Sequence, residues 1–325
     1  MKAAICERYG PPEAVRIGEV PTPVPGPQDV LVRVHATTVN SGDCRMRALD
    51  VPAGLSLLTR FALGFTRLKQ PVFGFDAAGD VAATGEGVKD FAVGDRVLAS
   101  RGFEFGCHAE YFCVPANGPI ARIPESVGYE EIVSICFGGL TALNFFSRGK
   151  LKAGESILIN GASGAVGVAS VQIARQMGAK VTGVCSARNA DLVRSLGADE
   201  VIDYRKENFM RSGQKFDLIM DTHGNAPFRC VKHMLKPGGR YLMVIGTLLE
   251  MLGAAFHTQI VGASENDEVF SGKNFRRLVS LVESGDLRPV IDSTYAFDQI
   301  AAAHRRVDGG HKSGSVVVTL SPPAP

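Results

Sequence analysis

Residues 157–167 read ILINGASGAVG, and this stretch decides the fold. The run that starts it, ESILIN, is short, continuous and apolar, the mark of a strand buried on both faces. It breaks into three glycines spaced by three: Gly161, Gly164 and Gly167. A glycine cluster alone is a weak signal, because ordinary turns use glycine too. Here the cluster follows a buried strand and opens a helix, GAVGVASVQIARQMGA, that ends at Gly178, and a second buried strand, KVTGVC, follows. That setting is the one a dinucleotide needs. Gly161 permits the tight turn, and Gly164 lets the backbone approach a pyrophosphate at a helix N-terminus, where free N–H groups and the dipole favour an anion. Gly167 lets the helix pack closely on the strand. The loop Gly161, Ala162, Ser163, Gly164, Ala165, Val166 and Gly167 is therefore the expected phosphate cradle.

On the C-terminal side the alternation continues through ADLVRSLGA, FDLIMDTHG, RCVKHMLKPGG and RYLMVIG, which predicts βαβ units on a parallel sheet. On the N-terminal side the helix-spaced ESVGYEEIVSICFGGLTALNFFS precedes it. Before about residue 125 the style differs: MKAAIC and DVLVRVHATTV alternate apolar with small or polar residues, and glycine turns separate short strands. This reads as a small barrel-like sheet. The fold class is α/β, a doubly wound parallel sheet over residues 125–263 joined to a β-rich domain made of residues 1–124 and 264–325. GSVVVTL, near the end, is a Val-rich strand expected to return to the first sheet.

Composition narrows the function. Of 325 residues, 45% are hydrophobic and 21% charged, and the net charge is +2, which offers nucleic acid no basic stripe. Seven cysteines without paired spacing, and no export signal ahead of MKAAICERYG, point to a reducing cytoplasm. No apolar run reaches the ~18 residues that membrane insertion requires.

The second strand distinguishes the nucleotides. NAD enzymes carry an acid at its end, to bond the adenosine ribose. Here Cys185-Ser186-Ala187-Arg188-Asn189 fills that place, with no carboxylate before Asp191. A carboxylate would repel a 2′-phosphate, whereas the Ser186 hydroxyl and Arg188 guanidinium would bind it. NADP(H) is favoured over NAD(H).

With GFDAAGDVAATGEGVKDFAVGDRV, GGLTAL, ILINGASGAVG, VIDYRKENF, LKPGGRYLMVIG and GDLRPVIDSTYAFDQIAAAHRRVDGGHKSGSVVVTL, the chain resembles, over nearly its whole length, the medium-chain dehydrogenase/reductase superfamily in its zinc-free quinone oxidoreductase branch. The resemblance implies a GroES-like barrel domain joined to a Rossmann domain, with the active site between them, and a homodimer. It implies that Tyr204 lies by the adenosine 2′-phosphate, Thr141 near the nicotinamide, and Gly246 along the nicotinamide carboxamide.

Zinc-dependent members of the superfamily hold the metal with a Cys, a His and a second Cys or an acid. In this chain Asn40 stands in the first place and Phe75 in the second, with Asp76 after it; Cys136 lies near the third, and only Cys107 occurs where a structural zinc lobe would need four cysteines. Without a Lewis acid, hydride donation suits acceptors that already delocalise negative charge, namely quinones and α,β-unsaturated carbonyls. Asn40 is the expected polar contact to the acceptor oxygen or the nicotinamide amide. Cys44 fills the place of a tyrosine found in many relatives, and Asp43 and Arg47 are expected to pair and hold this loop. The competing functions are an alcohol or aldehyde dehydrogenase, and an NADPH-binding sensor or structural protein with little turnover. Residues 51–72 form an apolar stretch with Leu55, Leu58, Phe61 and Phe65 on one helical face, readable as a packed helix, a lid, or a membrane-surface contact.

Overall fold

The chain lays most of its strands into two sheets, and a computed structural model describes residues 1–51, 54–254, 257–262 and 271–320 of it. Strands β1 (Lys2–Ile5), β2 (Arg16–Glu19), β3 (Asp29–Val39), β4 (Asp76–Thr84), β5 (Arg96–Ser100), β6 (Tyr111–Pro115) and β7 (Ile120–Arg122) come first, with helices α1 (Ser41–Ala48) and α2 (Ser56–Leu63) between β3 and β4. Helix α3 (Tyr129–Arg148) leads to β8 (Ser156–Asn160), α4 (Ala165–Gln176), β9 (Lys180–Cys185), α5 (Ala190–Ser195), β10 (Glu200–Asp203), β11 (Phe216–Asp221), α6 (Phe228–Val231), β12 (Leu235–Met243), α7 (Leu248–Ala254) and β13 (Ile260–Gly262). Helix α8 (Gly272–Glu283), β14 (Ile291–Ala296), α9 (Ile300–Asp308) and β15 (Ser315–Thr319) follow.

Strands β8 to β13 form an all-parallel sheet in the order β10-β9-β8-β11-β12-β13. Counted from β8 this is 3-2-1-4-5-6, the doubly wound dinucleotide-binding order. Ile157, Leu158 and Ile159 of β8 are fully buried, as its unbroken apolar run requires. The order reverses around β8, so the crevice opens at its C-terminal end, where Gly161 begins.

The other sheet runs β14-β15-β3-β4-β5-β7, with β6 also pairing β3. Strand β15 lies antiparallel to β3, Val316 opposite Val39, and parallel to β14, so GSVVVTL does return to the first sheet. Helix α3 joins the two halves: its Ile132, Cys136, Leu140 and Phe145 share one apolar core with Ala36, Ala78 and Val317 on one side and with Ile157, Val171 and Leu218 on the other. Helix α8 packs on α3 as well, with Leu278 against Gly139. The expected boundary at 263/264 lies outside the described residues.

The stretch RCVKHMLKPGG departs from its expected helix. Only Phe228–Val231 and one 3₁₀ turn, Lys232–Met234, are helical before β12 begins at Leu235. Pro237 pushes Lys236 out of the helical region, and the pairing of β11 with β12 shifts register between Phe216 and Leu218.

Candidate active site

The loop after β8 is built to leave donors exposed. Gly161 sits at φ +82°, and the N–H groups of Gly161 and Ala162 both donate to Val184 O on the next strand. A Cβ placed on Gly167 would stand 2.1 Å from Gly161 O, so α4 can pack this closely only with glycine there. A Cβ on Gly164 would meet nothing nearer than Gly161 O at 3.5 Å. The backbone around Gly164 is thus a shallow open cradle. Gly164 is the N-cap of α4 and no side chain caps it, so the first helical N–H groups face a prospective anion. The residues present therefore fit a dinucleotide pyrophosphate.

Neighbouring strand ends fix the rest of this edge. Asn160 donates to Asp221 (2.8 Å) and Asn225 (2.6 Å), and Asp221 accepts the backbone N–H groups of His223, Gly224 and Ala226. This net pins the loop after β11. Gly246, buried after β12, lies at the same edge, because Asp221 is in register with both Asn160 and Met243. At the end of β9, Ser186 is buried, while Arg188 and Tyr204 are exposed; Tyr204 N–H donates to Cys185 O, which brings it beside Ser186.

A segment that the sequence reading passed over closes this region. Residues 309–314, GGHKSG, lie across the glycine loop: Gly314 N–H donates to Ser163 O at 2.9 Å, and Gly164 and Gly314 form a parallel bridge. Asn189 ties the two together, donating to Ser163 Oγ (2.9 Å) and accepting from Ser313 Oγ (3.0 Å). Arg188 donates to His311 O. Lys312 stands in this clamp with its ammonium on Gly314 O at 2.6 Å. Burial, with Arg306 nearby, pushes its pKa down from the ordinary lysine value to about 8, against the opposing pull of Asp292. A lone lysine in a glycine-rich loop carries no motif, so only the fold reveals its place.

Toward the barrel, Asn40 caps α1. Its Oδ1 accepts from the N–H groups of Gly42 (2.7 Å) and Asp43 (3.2 Å), and its Nδ2, fully buried, has no partner among the described residues. With Oδ1 committed to two donors, the orientation of the amide is settled. The Phe75 ring lies 3.1 Å from where a Cβ on Gly42 would be, and stacks edge-on against Phe103, Phe105 and Phe137 at 5.0–5.8 Å. Phe137 belongs to α3, where Thr141 Oγ1 donates back to its carbonyl. Gly138 beside it packs on Ala165, since a Cβ there would stand 2.2 Å from Ala165 O. Asn40, Phe75, Phe137 and Thr141 are thus one chain of contacts from barrel to glycine loop.

The expected Asp43–Arg47 pair does not form. Asp43 takes the N–H groups of Asn40 (2.9 Å) and Gly74 (3.0 Å), and burial raises its carboxyl to about 7. Arg47, on the α9 side of α1, bonds Asp308 and, at 2.9 Å, Gly10 O. Four residues apart in number, the two point to different neighbours because one serves the helix cap and the other the α1–α9 seam. Cys44 faces that seam too, its thiol 3.3 Å from His304 Nδ1, and burial pushes its pKa far up. It does not substitute for a tyrosine in the cleft.

These residues do not fit zinc. Phe75 offers no donor and Asn40 Oδ1 already accepts two backbone N–H groups, which leaves Cys136 as the one thiol of the three places. Among the described residues, no three His, Cys, Asp or Glu side chains could together hold a metal.

Two family models match the chain: the alcohol dehydrogenase GroES-like domain over residues 26–125, and a model described as zinc-binding dehydrogenase over residues 196–318. The mouse mitochondrial NAD(P)H oxidoreductase RTN4IP1 is 30% identical over 98% of this chain and 89% of its own length. The chloroplastic quinone-oxidoreductase QR1 of Triphysaria versicolor is 32% identical over 98% of each chain. The quinone oxidoreductase structure from Coxiella burnetii superposes with a TM-score of 0.87 at 26% identity, covering 99% of each chain. The chain belongs to the medium-chain dehydrogenase/reductase superfamily, in its quinone oxidoreductase-like branch.

Proposed function

We propose that this chain is a zinc-independent, NADPH-dependent reductase of quinones or α,β-unsaturated carbonyls. The observation that carries this reading is an apolar wall: the Phe75 ring packs on Phe103, Phe105 and Phe137 next to the α1 cap, where Asn40 Nδ2 is buried without a partner among the described residues. The nicotinamide, when bound, supplies a hydride. The rings exclude water and stack a flat acceptor, and the Asn40 amide N–H bonds the developing oxygen anion, where low polarity strengthens the interaction. Gly161 to Gly167 hold the pyrophosphate, with Lys312 neutralising part of its charge. Thr141 and Gly246 flank the nicotinamide; Ser186, Arg188 and Tyr204 recognise the 2′-phosphate. The names of the relatives agree with a nicotinamide cofactor and an oxidoreductase. We further assign the chain to the cytoplasm and to a homodimer.

A panel of quinones, enals and simple aldehydes, read by NADPH consumption, tests the assignment. Quinones or enals should be reduced, and a zinc chelator should leave the rate unchanged. Loss with chelator and rescue by zinc would return the chain to the alcohol dehydrogenases; unconsumed NADPH would make it a binding protein. Separately, NADPH should bind at least about tenfold more tightly than NADH, a difference of about 1.4 kcal/mol. Equal affinities would remove Ser186, Arg188 and Tyr204 from the 2′-phosphate.

A further inference from the structure

Most of the large apolar side chains exposed among the described residues gather on one face. Helix α2 buries none of its residues: Leu57 is 66% exposed and Phe61 73%. The stretch is anchored on the barrel core through Leu63 and Leu68, while the apolar stripe of α2 itself turns outward. Leu58 and Phe65 are exposed beside Leu57 and Phe61, and on α7 so are Leu249, at 80%, and Leu252. The two helices are neighbours, for Leu248 at the start of α7 lies 3.1 Å from where a Cβ on Gly54, ahead of α2, would be. One helix hangs from the barrel and the other follows β12, so the face borders the mouth of the cleft. Local bonds tie α2 to the turn after it: Arg60 donates to Phe65 O (2.7 Å) and Lys69 to Phe61 O (3.0 Å).

The charge of this face is cationic beside α2, while α7 carries one acid, Glu250, which accepts from the Thr247 N–H and hydroxyl at the helix start. Between Asp50 and Asp76 the sequence carries Arg60, Arg67 and Lys69 and no acid. An apolar face rimmed by cations is complementary to an anionic bilayer surface, whose headgroups meet the cations while the side chains reach the acyl boundary. No helix among the described residues is long and apolar enough to cross a membrane, so the contact is at the surface. A cavity of about 280 Å³ adjoins the face, lined by Leu63, Leu68, Phe73, Phe103 and Phe105, and the last two of these touch the Phe75 ring.

We propose that the α2–α7 face seats on an anionic lipid surface, and that acceptors dissolved in the lipid enter past Phe103 to Phe75. The docking stands on the face alone; the entry route rests on the reductase reading above.

The protein, without cofactor or acceptor, is sedimented with phosphatidylcholine vesicles, with and without anionic phosphatidylglycerol. It should pellet with the anionic vesicles and stay soluble with the neutral ones. Leu57→Asp with Phe61→Asp should lower vesicle partition at least about tenfold, and Arg67→Glu several-fold. Oxidation of NADPH by a short, water-soluble quinone should stay within about twofold of the parent in all of them, because none of these residues lines the reacting centre. A parent that ignores anionic vesicles, or a Leu57→Asp/Phe61→Asp chain that pellets like the parent, overturns the docking. So does a parent dimer that this double substitution splits without any vesicle binding, since the face would then belong to a second copy. Failure of the reductase reading would leave the sedimentation result intact, and failure of docking would leave soluble-acceptor turnover intact.

Discussion

Gly164→Val is expected to fold as the parent does and to lose NADPH affinity by about a hundredfold, or about 2.7 kcal/mol. Gly167→Val is expected to lose stability instead. The two glycines are three residues apart in one motif, yet their surroundings are opposite. At Gly164 the backbone is extended (φ −75°, ψ 174°), which valine adopts readily, and an added Cβ meets only Gly161 O at 3.5 Å. The fold has room for the side chain, and the space it takes is the space a phosphate needs. At Gly167 an added Cβ would stand 2.1 Å from Gly161 O and 2.6 Å from the Ala162 carbonyl carbon. Both are backbone atoms, so α4 must move off the sheet, at a cost of about 3 kcal/mol. Fluorescence titration with NADPH and urea unfolding read the two effects separately. A Gly164→Val chain that binds NADPH like the parent would mean that the phosphates lie elsewhere.

Lys312→Ala is expected to weaken NADPH and NADH alike, each by about tenfold, whereas Arg188→Ala should weaken NADPH and leave NADH nearly unchanged. The difference follows from position. Lys312 donates to Gly314 O, and Gly314 is bonded to Ser163 and bridged to Gly164, the loop proposed to hold the pyrophosphate that both dinucleotides share. Arg188 lies just past the end of β9, the place proposed for the 2′-phosphate that NADPH has and NADH lacks. The pH dependence follows too. Burial holds the Lys312 ammonium at about 8, below the ordinary lysine value, so it is charged below that pH and neutral above it. Affinity for either dinucleotide should be flat below about pH 8 and fall as pH rises through it, and Lys312→Ala should remove that slope. A Lys312→Ala effect confined to NADPH would move the lysine to the 2′-phosphate.

The sequence made the parallel sheet legible because its inner strands β8, β9 and β11 are buried on both faces and so appear as largely apolar runs. The glycine loop was legible because close approach permits no other residue at Gly167. Asn40 and Phe75 were legible as departures from a metal site. The Lys312 clamp was not, since Ser163 and Asn189 are ordinary loop residues whose hydrogen bonds to residues 313 and 314 span more than a hundred positions. The Asp43–Arg47 pairing misled for a related reason: spacing along a helix places two charges near one another, and the nearer claims of a helix cap and of α9 then take them apart. The outward face of α2 was ambiguous in sequence, since an apolar helical stripe looks the same whether it meets a core or solvent.

Strand β15 lies between β14 and β3, inside the barrel sheet rather than at its rim. During synthesis the first strands of that sheet leave the ribosome well over two hundred residues before the strand that completes them. The parallel sheet, whose strands are contiguous in the chain, can form meanwhile; the barrel must wait, with the Ala36–Val39 end of β3 lacking its β15 partner. Assembly is therefore ordered by topology, the nucleotide half first and the substrate half last. The same final segment brings Lys312 onto the glycine loop, so completion of the barrel and completion of the dinucleotide clamp are one event. A nascent chain that has not finished folding cannot hold its cofactor fully, and cannot spend reductant.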